Sequence, residues 1–116
     1  MVRSSEPAQV RIARGDIWLA TLDPTVGSEI EKTRPCVIIS PAEMHDYLRT
    51  VMVAPMTSVS RPAPFRMPVS LARKSGLILL DQLRTLDKQR LVRRLGSVQA
   101  RVLQATLARL RDVFAD

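Results

Sequence analysis

Short apolar runs separated by turn-forming residues fill the chain as far as residue 96. Residues 15–24 (GDIWLATLDP) carry apolar side chains on both faces, which predicts an inner strand closed by an Asp-Pro turn. Residues 35–40 (PCVIIS) are rich in β-branched side chains and predict a second, buried strand. Residues 50–56 (TVMVAPM) predict a third strand, which Pro55 is expected to stop.

The pattern continues with shorter and more polar segments. Residues 42–48 (AEMHDYL) have helical character but room for only a turn or two. Residues 65–71 (FRMPVSL) alternate cleanly, and Pro68 restricts that strand to an edge or a bulge because proline cannot donate to a ladder. Residues 76–86 begin as a buried strand that an Asp-Gln pair interrupts, and residues 89–96 predict the last strand.

The hydrophobic period changes after residue 96. Ser97 is predicted to cap a helix whose apolar residues recur at three- and four-residue spacing: Val98, Val102, Leu103, Leu107, Leu110 and Phe114. Short strands followed by one amphipathic helix predict an α+β fold that is mainly β, a small antiparallel barrel or half-open sheet. With 116 residues, the chain is predicted to hold one domain, residues 14–116, after a flexible leader at residues 1–13.

Composition narrows the classes of partner and of site. Eighteen Lys and Arg against eleven Asp and Glu give a net charge of +7, which favours an anionic partner (nucleic acid, an acidic protein or a membrane surface) unless it only solubilises the surface. One cysteine excludes a disulfide framework and a thiolate metal cluster, and Cys36 is expected to be a buried structural thiol. The absence of a spanning apolar run and of a signal peptide predicts a cytoplasmic protein.

Candidate chemistry lies at the ends of the predicted strands. The four glycines are isolated, so the chain has neither a Walker loop nor a dinucleotide fingerprint. Arg34 offers a planar fork of donors suited to phosphate oxygens, and Thr57 is expected to face a loop-lined cleft. Such a pair could bind a scissile phosphate and stabilise its developing charge. The alternatives are a surface salt bridge from Arg34 to Glu29 or Glu31, and a turn role for Thr57.

Phe65 is one of four aromatic residues and stands close to two cations, Arg61 and Arg66. An aromatic ring beside cations suits the stacking of an unpaired base against a basic groove. The alternating pattern of its strand supports an inward-facing, packing role equally well. Both interpretations of Phe65 therefore stay open at this point.

Three stretches, in order along the chain, resemble the MazF/PemK family of toxin endoribonucleases from bacterial toxin–antitoxin modules. They are RGDIWLATLDPTVGSEIEKTRPCVIIS, VMVAPMTS and GLILLDQLRTLDKQRL, and the similarity runs from about Arg14 to the C-terminal helix. The resemblance implies an SH3-like barrel with a C-terminal helix, a homodimer, and cleavage of single-stranded RNA without a metal or other cofactor. It also implies a cognate antitoxin whose acidic, disordered tail docks in the basic groove.

The same resemblance makes Arg34 and Thr57 the catalytic pair. It implies that the RNA's own 2′-hydroxyl attacks the adjacent phosphate, which leaves a cyclic phosphate and a free 5′-hydroxyl. Glu29 is the candidate general base, and Thr33 stands where some relatives carry a histidine, so a mechanism through that imidazole is not expected here. The residues implied to bind RNA are Phe65, Gln82, Ser58, Arg84 and Lys32.

Two other functions share much of this pattern. The fold implied by the resemblance also hosts a toxin type that poisons DNA gyrase without cutting RNA. A non-catalytic basic module that binds nucleic acid or an acidic partner would carry the same charge. Fold alone does not separate these functions. Arg34 and Thr57, in the matching positions, favour the ribonuclease.

Overall fold

A computed structural model describes residues 11–22, 33–58 and 61–116. Of the predicted leader, residues 1–10 lie outside the described residues. Two short 3₁₀ turns, at Leu80–Gln82 and Lys88–Arg90, lie before and after the strand Arg84–Asp87. The strands and α-helices are, in chain order, β1 (Asp16–Thr21), β2 (Thr33–Ile38), α1 (Ala42–Tyr47), β3 (Thr50–Thr57), β4 (Arg66–Leu71), β5 (Lys74–Leu79), β6 (Arg84–Asp87), β7 (Leu91–Ser97) and α2 (Ala100–Val113).

The seven strands form one antiparallel sheet that curls into a half-barrel. Their order is β4-β5-β3-β2-β1-β7, and β6 also pairs with β3. Residues 50–53 of β3 pair with β6, whereas Met56 and Thr57 pair with β5. Because β3 changes partner along its length, the sheet bends around it. The predicted α+β, mainly β fold is confirmed, and so is the edge position of β4, which contains Pro68.

Apolar side chains are buried on both faces of this curled sheet. On one face, Leu110 of α2 packs into a cluster with Ile17, Val37, Ala54 and Ile78. On the other face, a second cluster contains Trp18, Ala20, Cys36, Ile38, Val51, Val53 and Leu86. Both faces of β1 and β2 are therefore covered, which explains why neither strand has a regular polar face. Within the described residues, no helix is long and apolar enough to cross a membrane.

The predicted end of β3 at Pro55 is wrong, because the strand continues to Thr57. Pro55 pairs with Cys36 on the β2 side. Along its other edge, β3 pairs with β6 up to Val53 and with β5 from Met56 onward. Pro55 lies between these two stretches. Proline lacks the N–H that a ladder needs, and a position between two pairing partners tolerates that loss.

Two further boundaries differ from the prediction because strand pairing overrides local signals. Ser97 is not the helix cap: it is the last residue of β7, where it pairs with Asp16, and Gln99 takes the cap position of α2. The N–H of Val98 then donates to the carbonyl of Gly15 at 2.9 Å. The predicted strand at residues 76–86 is two strands, β5 and β6, separated by the 3₁₀ turn that holds the Asp-Gln pair.

Candidate active site

Arg34 was predicted to lie just before the second strand, but β2 begins at Thr33, two residues earlier than predicted, and so includes Arg34. The pairing of β2 with β3 ends where Cys36 lies opposite Pro55. Arg34 and Thr57 each lie two residues beyond that pair, and in antiparallel strands these positions fall at the same end of the two strands. The two predicted catalytic residues therefore lie at one end of this strand pair.

Both side chains line a cleft of about 190 Å³ at the end of this strand pair. Thr57 is only 6% exposed, so its hydroxyl is held within the wall of the cleft and is not a surface turn group. Ser58, also predicted to bind RNA, lies at the cleft as well. The remaining lining comes from β2 and β3 through Pro35 and Met56, and from the β4–β5 hairpin through Leu71, Lys74, Ser75 and Gly76.

One nitrogen of the Arg34 guanidinium has no acceptor among the described residues. Its Nε is buried and has no hydrogen-bond partner in the part of the chain that the structure describes. Glu29 and Glu31, the alternative salt-bridge partners, lie outside the described residues. A buried donor without an acceptor costs on the order of 1–3 kcal/mol, and such groups call for a specific explanation. A role in binding an anion at the cleft is such an explanation.

The cleft depends on Gly76, which the sequence pattern marked only as the start of a strand. A Cβ built on Gly76 would lie 2.9 Å from the carbonyl oxygen of Thr57, closer than real Cβ atoms come. The β5 backbone therefore approaches β3 closely, next to the pairing of Thr57 with Leu77. An isolated glycine inside a strand pattern is the available sequence signal for such an approach.

Arg84 lies on the same face of the sheet as the Arg34–Thr57 pair. It pairs with Val53, which lies four positions before Thr57 on β3, and residues an even number of positions apart on a strand share a face. Burial raises the pKa of Cys36 to about 12, and the charges of Arg84 and Arg34 both act in the opposite direction. Both guanidinium groups are therefore close enough to influence one thiol. Cys36 is 0% exposed and stays protonated at neutral pH, which confirms the expected buried thiol.

Two predicted RNA-binding residues lie away from the cleft, around the first 3₁₀ turn. Phe65 is 39% exposed, and the guanidinium of Arg66 lies 5.7 Å from its ring centroid. Arg66 in turn forms an ion pair with Asp81 at 3.1 Å. Gln82, the last residue of that turn, lines a cavity with Arg84 of β6. The exposure of Phe65 favours a surface role over the inward-facing, packing interpretation.

The described structure thus divides the candidate residues into two groups. Arg34, Thr57 and Ser58 share one cleft. Thr57 is level with Pro68 of β4 through Leu77 of β5, so Phe65 lies roughly 10 Å further along the strand direction and two strands away. Glu29 and Lys32 lie outside the described residues.

The sequence and the fold both match a known toxin family. A family model for the PemK-like, MazF-like toxin of type II toxin–antitoxin systems matches residues 13–114. This chain belongs to that family. It is 38% identical over 107 residues to endoribonuclease PemK of Escherichia coli, and the alignment covers 87% of this chain and 80% of the relative.

Solved structures of MazF toxins share the fold of this family member. MazF from Deinococcus radiodurans superimposes with a TM-score of 0.79 at 25% identity, covering 90% of this chain and 96% of that one. A MazE–MazF crystal structure from the same organism gives a TM-score of 0.72 at 27% identity, again covering 90% and 96%. The predicted family is thereby confirmed.

The one histidine of the toxin has a structural role at a different place. His45 Nδ1 lies 2.8 Å from the carbonyl oxygen of Ile12, so that nitrogen carries the proton. The hydroxyl of Ser40 then donates to Nε2 at 2.7 Å and accepts the N–H of Met52 at 3.0 Å. These bonds connect α1 to the sheet and to the segment before β1. Within the described ranges, no three His, Cys, Asp or Glu side chains come together as metal ligands.

Proposed function

We propose that this chain is an endoribonuclease that cleaves single-stranded RNA as the toxin of a toxin–antitoxin module. The observation that carries the proposal is that Arg34 and Thr57 line one cleft. The chain's membership of the toxin family and the name of its Escherichia coli relative, endoribonuclease PemK, support the same activity. RNA carries its own nucleophile, so a cleft that positions it and stabilises charge is sufficient for catalysis.

In the proposed reaction, the 2′-hydroxyl attacks the adjacent phosphorus and the bond from phosphorus to the 5′-oxygen breaks. The products are a 2′,3′-cyclic phosphate and a free 5′-hydroxyl. Arg34 binds the non-bridging oxygens with its planar fork and neutralises the charge that develops on them. The hydroxyl of Thr57 donates a hydrogen bond to a phosphate oxygen. Arginine remains protonated in proteins, so Arg34 is not the general base, and Glu29 is the candidate for that role.

RNA would extend from the cleft toward Arg84. Ser58 and Lys32 would contact the strand near the scissile phosphate. Phe65 would stack on an unpaired base, and its 39% exposure leaves the ring accessible for that contact. Gln82, on the 3₁₀ turn beside β4, would contact a base edge by hydrogen bonds.

The proposed partners follow from charge and from the related structures. The MazE–MazF structure from Deinococcus radiodurans pairs a toxin of this fold with its antitoxin. A net charge of +7 suits an antitoxin with an acidic, disordered tail that competes with RNA for the same groove. We further propose that the toxin is a homodimer and that it acts in the cytoplasm, on messenger RNA.

The decisive experiment incubates purified protein with single-stranded RNA in excess EDTA and maps the ends of the products. We expect cleavage at short motifs, with 5′-hydroxyl ends, and protection of any site whose nucleophilic 2′-hydroxyl is replaced by hydrogen. RNA that stays intact at high protein concentration would contradict the proposal, as would cleavage that survives 2′-deoxy substitution.

The same preparation distinguishes the two alternatives. A gyrase poison would trap cleaved DNA in the presence of gyrase and spare RNA. A non-catalytic basic module would bind RNA with a strong salt dependence but leave it uncut. No feature of the described residues favours either alternative over the ribonuclease.

A further inference from the structure

We propose that Lys74 is a further substrate-binding residue, which holds the RNA phosphate adjacent to the scissile one. The proposal rests on the ribonuclease function proposed above. Lys74 is the first residue of β5, and it lines the same cleft as Arg34 and Thr57. None of the sequence patterns singled it out, because its position is set by a hairpin and by long-range strand pairing.

The charge of the cleft is the first argument. Arg34 and Lys74 are the two cations of its lining, and the described lining residues include no carboxylate. Two like charges that share a cleft repel each other and favour an anionic occupant. Each phosphodiester carries one negative charge, so two successive phosphates match the two cations. If Arg34 binds the scissile phosphate, Lys74 is the cation that binds the neighbouring phosphate.

The hairpin geometry is the second argument. The connection between β4 and β5 has two residues, Ala72 and Arg73, with φ values of 52° and 69°. Two consecutive left-handed residues are typical of a type I′ turn, which usually contains Asn or Gly. Leu71 and Lys74 form the pair that closes this turn, and both line the cleft. Pairing across the hairpin therefore keeps Lys74 in place despite an unfavourable turn sequence.

The chemistry of lysine is the third argument. An ammonium group is a compact charge with three donors on a flexible stem, which suits a phosphate better than a base edge. Among the described residues, Lys74 forms no ion pair or side-chain hydrogen bond that would occupy its charge. A contact of this kind contributes affinity and register without reading sequence.

The test compares wild-type protein with Lys74→Ala, Lys74→Arg and Arg73→Asn. Arg73→Asn is the matched control: it removes the adjacent positive charge, which does not line the cleft, and asparagine tolerates a left-handed turn. The probe is an RNA that wild-type protein cuts, made uncleavable by a 2′-deoxy substitution at the cut site. Fluorescence anisotropy gives its Kd at several salt concentrations.

We expect Lys74→Ala to raise Kd about tenfold, the scale of one charge-assisted hydrogen bond. The slope of log K against log salt should become shallower by roughly 0.7, as for one lost contact to a single strand. Lys74→Arg should bind within about threefold of wild type, and Arg73→Asn should keep the wild-type slope. Thermal unfolding identifies a variant that fails to fold, in which case Lys74→Gln, which keeps most of the stem, replaces Lys74→Ala.

Equal Kd and equal slope for Lys74→Ala and Arg73→Asn would overturn the role of Lys74. That outcome leaves the ribonuclease function standing as long as wild-type protein cuts RNA. If wild-type protein cuts no RNA, the function itself fails, so the two failures are distinguishable.

Discussion

Arg34 combines two features that distinguish it from a solubilising surface charge. It lines one cleft with Thr57, and its Nε is buried without an acceptor in the described structure. The residue type could be chosen from the sequence, because a planar fork of donors before a buried strand suits a phosphate. Its proximity to Thr57 could not, because pairing residues 23 positions apart depends on the register of two strands rather than on any local pattern.

At the same scale, Cys36 predicts how stability changes at alkaline pH. Its pKa is about 12 in the folded protein against an ordinary value of 9.0, because burial disfavours the thiolate. Below pH 9 both folded and unfolded chains keep the proton, so stability is unaffected. Between pH 9 and 12 the unfolded chain loses the proton that the folded chain retains. The free energy of unfolding should therefore fall with rising pH, by about 1.4 kcal/mol per unit from this group.

Urea unfolding between pH 7 and pH 11 checks this expectation. The comparison is between the slopes of wild-type protein and Cys36→Ala, since other groups titrate equally in both. The variant should lose less stability per pH unit above pH 9, although the cavity left by the smaller side chain lowers its stability overall. Parallel curves through that range would show that the thiol is not the buried, proton-retaining group described here.

At the scale of elements, the close approach of β5 to β3 determines where Thr57 lies. Gly76→Ala should displace the Thr57 carbonyl, because the added methyl group would meet a backbone atom at 2.9 Å. We expect about a 10- to 100-fold loss in the single-turnover cleavage rate, the scale of small misplacements in active sites. Overpacking should also lower stability by about 1–3 kcal/mol.

Ser70→Ala serves as the control for Gly76→Ala. Ser70 is exposed on β4 in the same hairpin, and it does not line the Arg34–Thr57 cleft. This variant should cleave RNA at close to the wild-type rate. A Gly76→Ala protein that is less stable but cleaves at the wild-type rate would refute the positioning role of Gly76.

The elements also show which structural features local sequence patterns can predict. The alternating strands, the edge position of β4 and the amphipathic α2 follow from side-chain periodicity, and the structure confirms them. The predictions at Pro55 and Ser97 were wrong because both residues carry strong local signals that sheet pairing overrides. Lys74 and Gly76 were missed for the same reason: their importance depends on which strand β5 meets.

At the scale of the whole molecule, the curled sheet brings distant parts of the chain to one basic cleft. β2, β3 and the β4–β5 hairpin each contribute one part of its wall. Motifs that resemble a family were sufficient to predict the fold class and the family, since they extend in order along most of the chain. They did not predict that Phe65 and Gln82 would lie outside the cleft that Arg34, Thr57 and Ser58 share.

The central claim is that Arg34 and Thr57 act together on one scissile phosphate. Single-turnover cleavage rates of wild type, Arg34→Ala, Thr57→Val and the double variant on one RNA test it most directly, with unfolding curves to establish that each variant is folded. We predict that each single substitution slows cleavage by about 10²- to 10³-fold. The double variant should be slower by much less than the product of the two effects, because both groups stabilise the same transition state. Cleavage by folded Arg34→Ala at the wild-type rate would contradict the account.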